Sequence, residues 1–177
     1  LKAAASAGPD AVFVVLLPDH GRGYLGKIFN DKWLRAYGFT NSPSGHTVAN
    51  ILAAKADRTE PLVYAHPNDT VREAIDTMTR TNVSQVLVLT AEPPVVLGEV
   101  LGSVQEEQLM ELVFSGQAEL TDKISSVVGP AFPLIGVGEP VASARSALGE
   151  ASALLVTDGG SALGVITRAD LLSYLSG

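Results

Sequence analysis

Residues 152–175, SALLVTDGGSALGVITRADLLSYL, decide the fold. The apolar run at 152–157 predicts a buried strand, and ALGVI at 162–166 predicts a second one. Asp158-Gly159-Gly160 between them is typical of a tight hairpin turn, because glycine adopts the positive φ angles that such turns need. TRADLLSYL at 167–175 has the apolar spacing of an amphipathic helix. The segment therefore predicts a β-hairpin followed by a helix.

A further helix precedes this hairpin and completes a unit that occurs twice. Val141, Ala144 and Leu148 fall on one face of a helix predicted around 139–149. The earlier copy has the same order of elements: a helix around 70–81, strands at 84–89 and 95–104, and a helix at 105–114.

Single residues align between the two copies. Ser84 corresponds to Ser152, and Gly102 corresponds to Gly164. A unit of about 55 residues is small for independent stability, so we expect the two copies to share one core. Each copy is predicted as helix, strand, strand, helix.

The composition excludes several classes of protein. The chain has 177 residues, a net charge of −7 and no cysteine, so disulfides, thiolate metal sites and a nucleic-acid partner are not expected. His20, His46 and His66 share no metal-ligand spacing. No apolar run approaches the roughly 20 residues of a membrane span. The start, Leu1-Lys2-Ala3, does not resemble a secretory leader, and we expect a fragment of a longer cytoplasmic protein.

The first part of the chain is organised differently. AVFVVLL at 11–17 predicts a buried strand, residues 27–37 predict a helix, and the polar stretch 40–46 predicts a linker before a short helix at 46–56. Residues 21–26, GRGYLG, match the dinucleotide-binding pattern G-x-G-x-x-G. No second parallel strand follows at the distance that this fold requires, so a glycine-rich turn is the simpler interpretation.

Two interpretations of Thr167-Arg168-Ala169-Asp170 stay open. The segment lies where a predicted strand becomes a helix, and Thr with an acidic residue three positions later is typical of a capping box. The same geometry suits a nucleoside, because a carboxylate accepts hydrogen bonds from the vicinal hydroxyls of ribose beside the free N–H groups of the helix terminus. The first copy has Gln105 and Gln108 at the positions of Thr167 and Asp170, which indicates one competent site and one degenerate site.

The repeat resembles a tandem pair of CBS domains, also called a Bateman module. The resemblance rests on Gly164-Val165-Ile166-Thr167-Arg168-Ala169-Asp170-Leu171-Leu172 and on Asn82-Val83-Ser84-Gln85, and it covers about residues 59–177. It implies an α/β fold of two βαββα-like units related by a pseudo-two-fold axis. CBS pairs also associate with one another, so self-association into a homodimer or higher oligomer is implied.

Residues 11–39 carry a second resemblance, to the end of the catalytic domain of bacterial cystathionine β-synthase, a pyridoxal-phosphate enzyme of fold type II. It rests on Leu17-Pro18-Asp19, Tyr24-Leu25, Lys27, Asp31 and Trp33. The implied division is a catalytic-domain tail at 1–40, a linker at 41–58, a first CBS domain at 59–118 and a second at 119–177. The cofactor lysine of that family lies upstream, so we expect no catalytic residue here, and pyridoxal phosphate only in the parent catalytic domain.

The resemblance implies one ligand site shared by the two repeats, taking S-adenosylmethionine or an adenine nucleotide as an allosteric ligand. Thr167 and Asp170 would bind the ribose, and Arg168 would suit a phosphate or the carboxylate of S-adenosylmethionine. Four consecutive residues would lie against the adenine: Val83, Ser84, Gln85 and Val86. Further apolar or backbone contacts would come from Leu62, Val63, Ile166 and Ala169. The implied function is control of a transsulfuration lyase. The alternatives are an AMP or ATP sensor and a ligand-free dimerisation module.

Overall fold

The computed structural model describes Leu34, residues 45–56, Glu60 and residues 62–176. The predicted strand at 11–17, the GRGYLG segment and, apart from Leu34, the synthase-like tail lie outside these residues. The helices are α1 (Val48–Ala56), α2 (Val71–Thr81), α3 (Glu106–Phe114), α4 (Val141–Glu150) and α5 (Arg168–Ser176). The strands are β1 (Tyr64–Ala65), β2 (Gln85–Leu89), β3 (Val95–Val96), β4 (Val100–Gln105), β5 (Leu134–Gly136), β6 (Ala153–Asp158) and β7 (Ser161–Thr167).

Local signals in the sequence explain where the elements begin and end. Thr70 and Glu73 form a capping box at the start of α2, and Asn82 ends this helix in the left-handed conformation at φ 54°. The predicted hairpin is confirmed, because Asp158 pairs with Ser161 across Gly159 and Gly160. Both glycines have positive φ angles, 53° and 87°, as a two-residue turn of this kind requires.

The single strand predicted at 95–104 is wrong. The chain forms β3, then a one-turn 3-10 helix at Leu97–Glu99, and then β4. The Glu99 carboxylate accepts a hydrogen bond from the Val96 backbone N–H at 2.8 Å, which stabilises the turn between the two strands. The helix–strand–strand–helix order also omitted a short first strand in each copy, β1 and β5, which pairs in parallel with β2 and β6.

Because of this turn, β3 pairs with the sheet of the second repeat, whereas β4 stays in the sheet of the first. Among the described residues, one sheet has the order β1-β2-β4 and the other has the order β3-β7-β6-β5. Val95 pairs with Ala162 and Val96 with Ser161, so a strand from the first repeat forms the edge of the second repeat's sheet. The two repeats are therefore joined by backbone pairing as well as by side chains.

Each central strand is buried on both of its faces, because successive side chains alternate between them. In β2, Val86 and Val88 face the helices of their own repeat, whereas Leu87 and Leu89 face the other sheet. The residues between the sheets form what we call the central cluster: Leu87, Leu89, Val95, Phe132, Ala153, Leu155, Ala162 and Val165. The shared core that the repeat predicted is confirmed.

The segment that precedes each repeat packs against the other repeat. Helix α1 packs on α4 and α5 of the second repeat through Val48 and Ile51. Ile124 and Val127, which the sequence assigned to the second domain, pack into the core of the first repeat. The division at residue 118 stays a prediction. Within the part of the chain that the structure describes, no helix is long and apolar enough to cross a membrane.

Gly102 lies so close to the inter-repeat segment that it has no room for a side chain. A Cβ atom there would lie 2.2 Å from the Gly129 carbonyl oxygen and 2.7 Å from the Val128 side chain. We expect Gly102→Ala to displace this segment and to lower the free energy of unfolding by about 1–3 kcal/mol, as overpacking typically does. Gly98→Ala is the control, because nothing lies within 4 Å of its Cβ position. Equal denaturant midpoints for both variants would contradict this close approach.

A polar cluster joins the end of β1 to the loop before β3. Glu92 accepts hydrogen bonds from the Tyr64 hydroxyl and, at 3.0 Å, from His66 Nε2. The other ring nitrogen of His66 lies 3.1 Å from the Leu89 carbonyl oxygen. The hydrogen bond with Glu92 raises the pKa of His66, and the hydrogen bonds from Tyr64 and then His66 lower the pKa of Glu92. Asp69 accepts a hydrogen bond from the His66 backbone N–H, and its negative charge raises the pKa of His66 by a smaller amount.

These shifts predict a pH-dependent contribution of Glu92 to stability. Because the pKa of His66 is raised in the folded state, its protonated form contributes its full stabilisation below pH 6.5, the ordinary pKa. This stabilisation is lost as the pH rises through the folded-state pKa. Because the pKa of Glu92 is lowered in the folded state, its carboxylate contributes its full stabilisation above pH 4.5, the ordinary pKa. This stabilisation is lost as the pH falls through the folded-state pKa. The difference in Tm between wild type and Glu92→Gln should therefore be greatest between pH 4.5 and 6.5. Glu111→Gln is the control, and a difference that does not vary with pH would contradict the assignment.

Candidate functional site

A cavity of about 190 Å³ lies where the start of α5 faces the end of α2. Both repeats and α1 contribute to its walls, which are formed by Lys55, Glu60, Val63, Asn82, Val83, Ser84, Gln85, Val165, Thr167, Ala169 and Asp170. Its volume is below that of a typical small-molecule site. The cavity therefore fits part of a ligand, such as the nucleoside portion of a nucleotide, rather than the whole nucleotide. The described residues do not hold a group of three or more His, Asp or Glu side chains that could bind a metal ion.

The Asp170 carboxylate caps α5 and faces this cavity. Its Oδ2 atom accepts hydrogen bonds from the Thr167 backbone N–H at 2.8 Å and from the Thr167 hydroxyl at 2.9 Å. The Asp170 backbone N–H lies 3.4 Å from the Thr167 hydroxyl oxygen, which completes the cap. The hydrogen bonds that described residues give this carboxylate all end on Oδ2. Oδ1 is therefore the atom with acceptor capacity for a ligand.

Lys55 is the functional candidate that the sequence did not identify. Its ammonium donates to Asp170 Oδ2 at 3.1 Å and to the Val165 carbonyl oxygen at 2.8 Å. The side chain is only 9% exposed, which is unusual for lysine and is possible here because the charge is paired. The available signal was its position, since Lys55 continues the buried stripe of Val48 and Ile51 on α1.

The structure brings seven of the eleven predicted site residues to the cavity: Val63, Val83, Ser84, Gln85, Thr167, Ala169 and Asp170. The other four do not line it. Ile166 and Val86 are buried in the cores of their repeats, because they point to the opposite face of the strand from their cavity-lining neighbours. Leu62 packs against the central cluster. The Arg168 guanidinium donates to the Leu148 carbonyl oxygen at 2.6 Å, so it is directed to the end of α4.

At the equivalent position in the first repeat, the chain itself supplies hydrogen-bond partners. Gln108, at the position of Asp170, donates to the Val127 carbonyl oxygen at 3.1 Å. Gly129 pairs through its backbone with Ser103, at 2.9 and 3.2 Å. Gln105, at the position of Thr167, accepts a hydrogen bond from Ser152 at 3.0 Å. The Gln108 and Gln105 side chains are thus bonded within the chain, and whether this position binds a ligand stays a prediction.

Comparison with known proteins identifies the class of this fold. Residues 55–114 and 124–177 match the CBS domain, and the chain belongs to the CBS domain family. Two matched units in succession make it a tandem CBS pair, a class of module that is typically regulatory. The predicted tandem CBS fold is thereby confirmed.

Solved structures of CBS proteins share this architecture. A putative signal-transduction protein with CBS domains from Burkholderia ambifaria is 22% identical, with a TM-score of 0.64 over 73% of this chain and 93% of that chain. A CBS domain pair/ACT domain protein from Thermotoga maritima is 19% identical, with a TM-score of 0.52 over 74% and 97%. CBSX2 in complex with AMP is 18% identical, with a TM-score of 0.57 over 75% and 97%. At these identities the likeness shows the fold alone.

Proposed function

We propose that this CBS pair binds an adenosyl compound at Asp170 and thereby regulates the protein to which it belongs. The observation that carries the proposal is the position of the Asp170 carboxylate. It lies at the start of a helix, in a cavity formed by both repeats, with Oδ1 available as an acceptor. Adjacent ribose hydroxyls are suitable donors for such a carboxylate. The solved complex of CBSX2 with AMP is an adenosyl complex of the same fold and supports this choice of ligand class.

The other walls of the cavity suit a purine. Val63, Val83 and Val165 provide apolar surface, and Ser84 and Gln85 provide polar groups beside it. A small number of directed polar groups on an apolar wall is typical of sites that orient a small molecule. At the equivalent position of the first repeat, Gln108 replaces the carboxylate and donates to the Val127 carbonyl oxygen.

The charge of the cavity favours S-adenosylmethionine over ATP. Asp170 and Glu60 are acidic, and Lys55 is the basic residue among those that line the cavity. A triphosphate would meet two carboxylates, whereas the sulfonium and ammonium groups of S-adenosylmethionine are attracted to them. Arg168, which was expected to suit either a phosphate or the carboxylate of S-adenosylmethionine, donates to the Leu148 carbonyl oxygen instead and so favours neither ligand.

The parent protein that we propose is a pyridoxal-phosphate-dependent cystathionine β-synthase, whose catalytic domain would precede this pair. Support for it comes from the resemblance of residues 11–39, which lie outside the described residues except for Leu34. The pair itself would then sense S-adenosylmethionine for a transsulfuration enzyme and would perform no catalysis.

Calorimetric titration with S-adenosylmethionine, AMP and ATP tests the ligand. We expect saturable binding of S-adenosylmethionine and at least tenfold weaker binding to Asp170→Asn, because a hydrogen bond to a charged group contributes about 1.5–3 kcal/mol. Asparagine is used because alanine would remove the helix cap and leave the ammonium of Lys55 with only the Val165 carbonyl. Asp158→Asn, at an exposed position of the hairpin turn, is the control.

The outcomes separate the alternatives. Selective binding of AMP or ATP would keep the site and replace the sensed compound. Equal affinity in wild type and Asp170→Asn would place the binding site elsewhere. Binding of none of the three compounds would overturn the proposal.

A dimerisation role is the second candidate function, and an exposed apolar surface favours it. Met110 and Phe114 on α3 are 51% and 85% exposed, and Leu172 and Leu175 on α5 are 68% and 67% exposed. Met110 and Leu172 occupy equivalent positions in the two repeats. Exposed apolar side chains in such a matched arrangement are typical of a surface that contacts another protein.

We expect the double variant Phe114→Ser, Leu172→Ser to dissociate at concentrations where the wild type is dimeric, because each substitution removes apolar area from the proposed contact. Sedimentation velocity measures the change. Leu101→Ser is the control, since Leu101 is 49% exposed and lies on β4 rather than on the two helices. A wild type that stays monomeric at high concentration would exclude this role.

A further inference from the structure

Helix α1 is attached to α5 at both of its ends. Just before α1, His46 Nδ1 and the Tyr174 hydroxyl are joined by a hydrogen bond. Near its end, the Lys55 ammonium lies 3.1 Å from Asp170 Oδ2. The residues that precede the CBS pair in the chain lead directly into this helix. A change in how α1 packs on α5 therefore changes the position at which the preceding part of the chain joins the CBS pair.

Lys55 belongs both to this attachment and to the ligand cavity. An ammonium has three N–H donors, and two of them are used by Asp170 and the Val165 carbonyl. Within the described residues the third N–H has no acceptor, so it is available to a ligand in the cavity that Lys55 lines. A ligand that donates to Asp170 Oδ1 would thus share its carboxylate with Lys55. A ligand hydroxyl that donates to Asp170 Oδ1 and accepts from the third Lys55 N–H would link the two side chains, and hydrogen bonds in such a donor–acceptor chain strengthen one another.

The first repeat shows that this arrangement is not required by the fold. Thr47 before α1 pairs with Pro140, and Lys123 pairs in the same antiparallel way with Thr70. The segment that follows Lys123 forms a 3-10 turn of three residues, Ile124–Ser126, where α1 has nine. Backbone atoms of residues 127 and 129 then contact the positions that Lys55 contacts in the second repeat.

We propose that Lys55 couples the ligand site to α1, so that a bound ligand fastens α1 to α5. Lys55 acts as a positioning residue, through the carboxylate that it shares with the ligand. Binding free energies are reciprocal, so a well-docked α1 raises ligand affinity by the same factor by which the ligand raises the docking of α1. This inference rests on the proposed binding of an adenosyl compound at Asp170.

Hydrogen–deuterium exchange of the α1 amides, with and without saturating S-adenosylmethionine or AMP, tests the coupling in the full chain. We expect the ligand to slow α1 exchange by about fivefold or more in the wild type, the lower range of typical couplings. In Lys55→Met the ligand should bind more weakly, and its saturation should leave α1 exchange unchanged. A merely structural role of Lys55 would change stability without removing this ligand-dependent difference.

Tyr174→Phe tests the same coupling from the other end of α1, away from the cavity. Because it loosens α1 without touching the site, reciprocity predicts a loss of ligand affinity by calorimetry, equal as a fold-change to the fall in the docked population of α1. Tyr64→Phe is the matched control, since it also removes a tyrosine hydroxyl bonded to an exposed side chain, but at Glu92. If Lys55→Met fails to fold, the affinity of Tyr174→Phe still decides the matter.

The outcomes separate this inference from the proposed function. Ligand binding by the wild type with no change in α1 exchange would overturn the coupling and leave the proposed function standing. Unchanged affinity in Tyr174→Phe would also overturn the coupling. Failure of the wild type to bind either compound would overturn both.

Discussion

The inner faces of the two sheets are buried against each other, and this constraint organises the rest of the molecule. Leu87 and Leu155, at equivalent positions of β2 and β6, are fully buried in the central cluster. A single repeat would expose this face to water, and the burial of a leucine side chain contributes about 1.5–3 kcal/mol. The pairing of the sheets also determines where the first repeat's α2 meets the start of α5. The cavity at Asp170 is a consequence of that pairing.

Much of this fold could be predicted because its signals are local. The Asp158-Gly159-Gly160 turn, the capping residues Thr167 and Asp170, and the apolar run of β2 act over a few positions, and the structure has each of them. The division of residues 95–104 could not be predicted in this way. It depends on Glu99 turning back to the Val96 N–H and on an edge of the second sheet that is distant in sequence.

The candidate site shows the same division between local and distant information. Thr167 and Asp170 are three residues apart, so their contact follows from the helix that they begin. Lys55 lies 115 residues before Asp170, and an isolated lysine in an amphipathic helix is usually exposed. Ile166 and Val86 do not line the cavity, although they were predicted as site residues. The prediction took consecutive residues from a sequence motif, whereas a strand presents only alternate side chains to a cavity.

The two repeats have diverged in how they use equivalent space. In one, the backbone near Gly129 occupies the groove beside β4, and Gly102 permits this because it has no side chain. In the other, the corresponding groove holds a buried ammonium and a carboxylate next to an open cavity. The two copies of one scaffold thus place different groups at equivalent positions, backbone atoms in one and a Lys–Asp pair in the other.

The crossing of β3 has a consequence for how such modules are inherited. The unit that repeats in the sequence is not the unit that folds, because the edge of the second sheet, Val95 and Val96, is encoded within the first repeat. Recombination that joined the first repeat of one gene to the second repeat of another would bring together β3 and β7 from different ancestors. Their backbones would have to agree in twist and register before the hybrid could close its sheet. The two halves are therefore expected to be passed on together rather than exchanged singly.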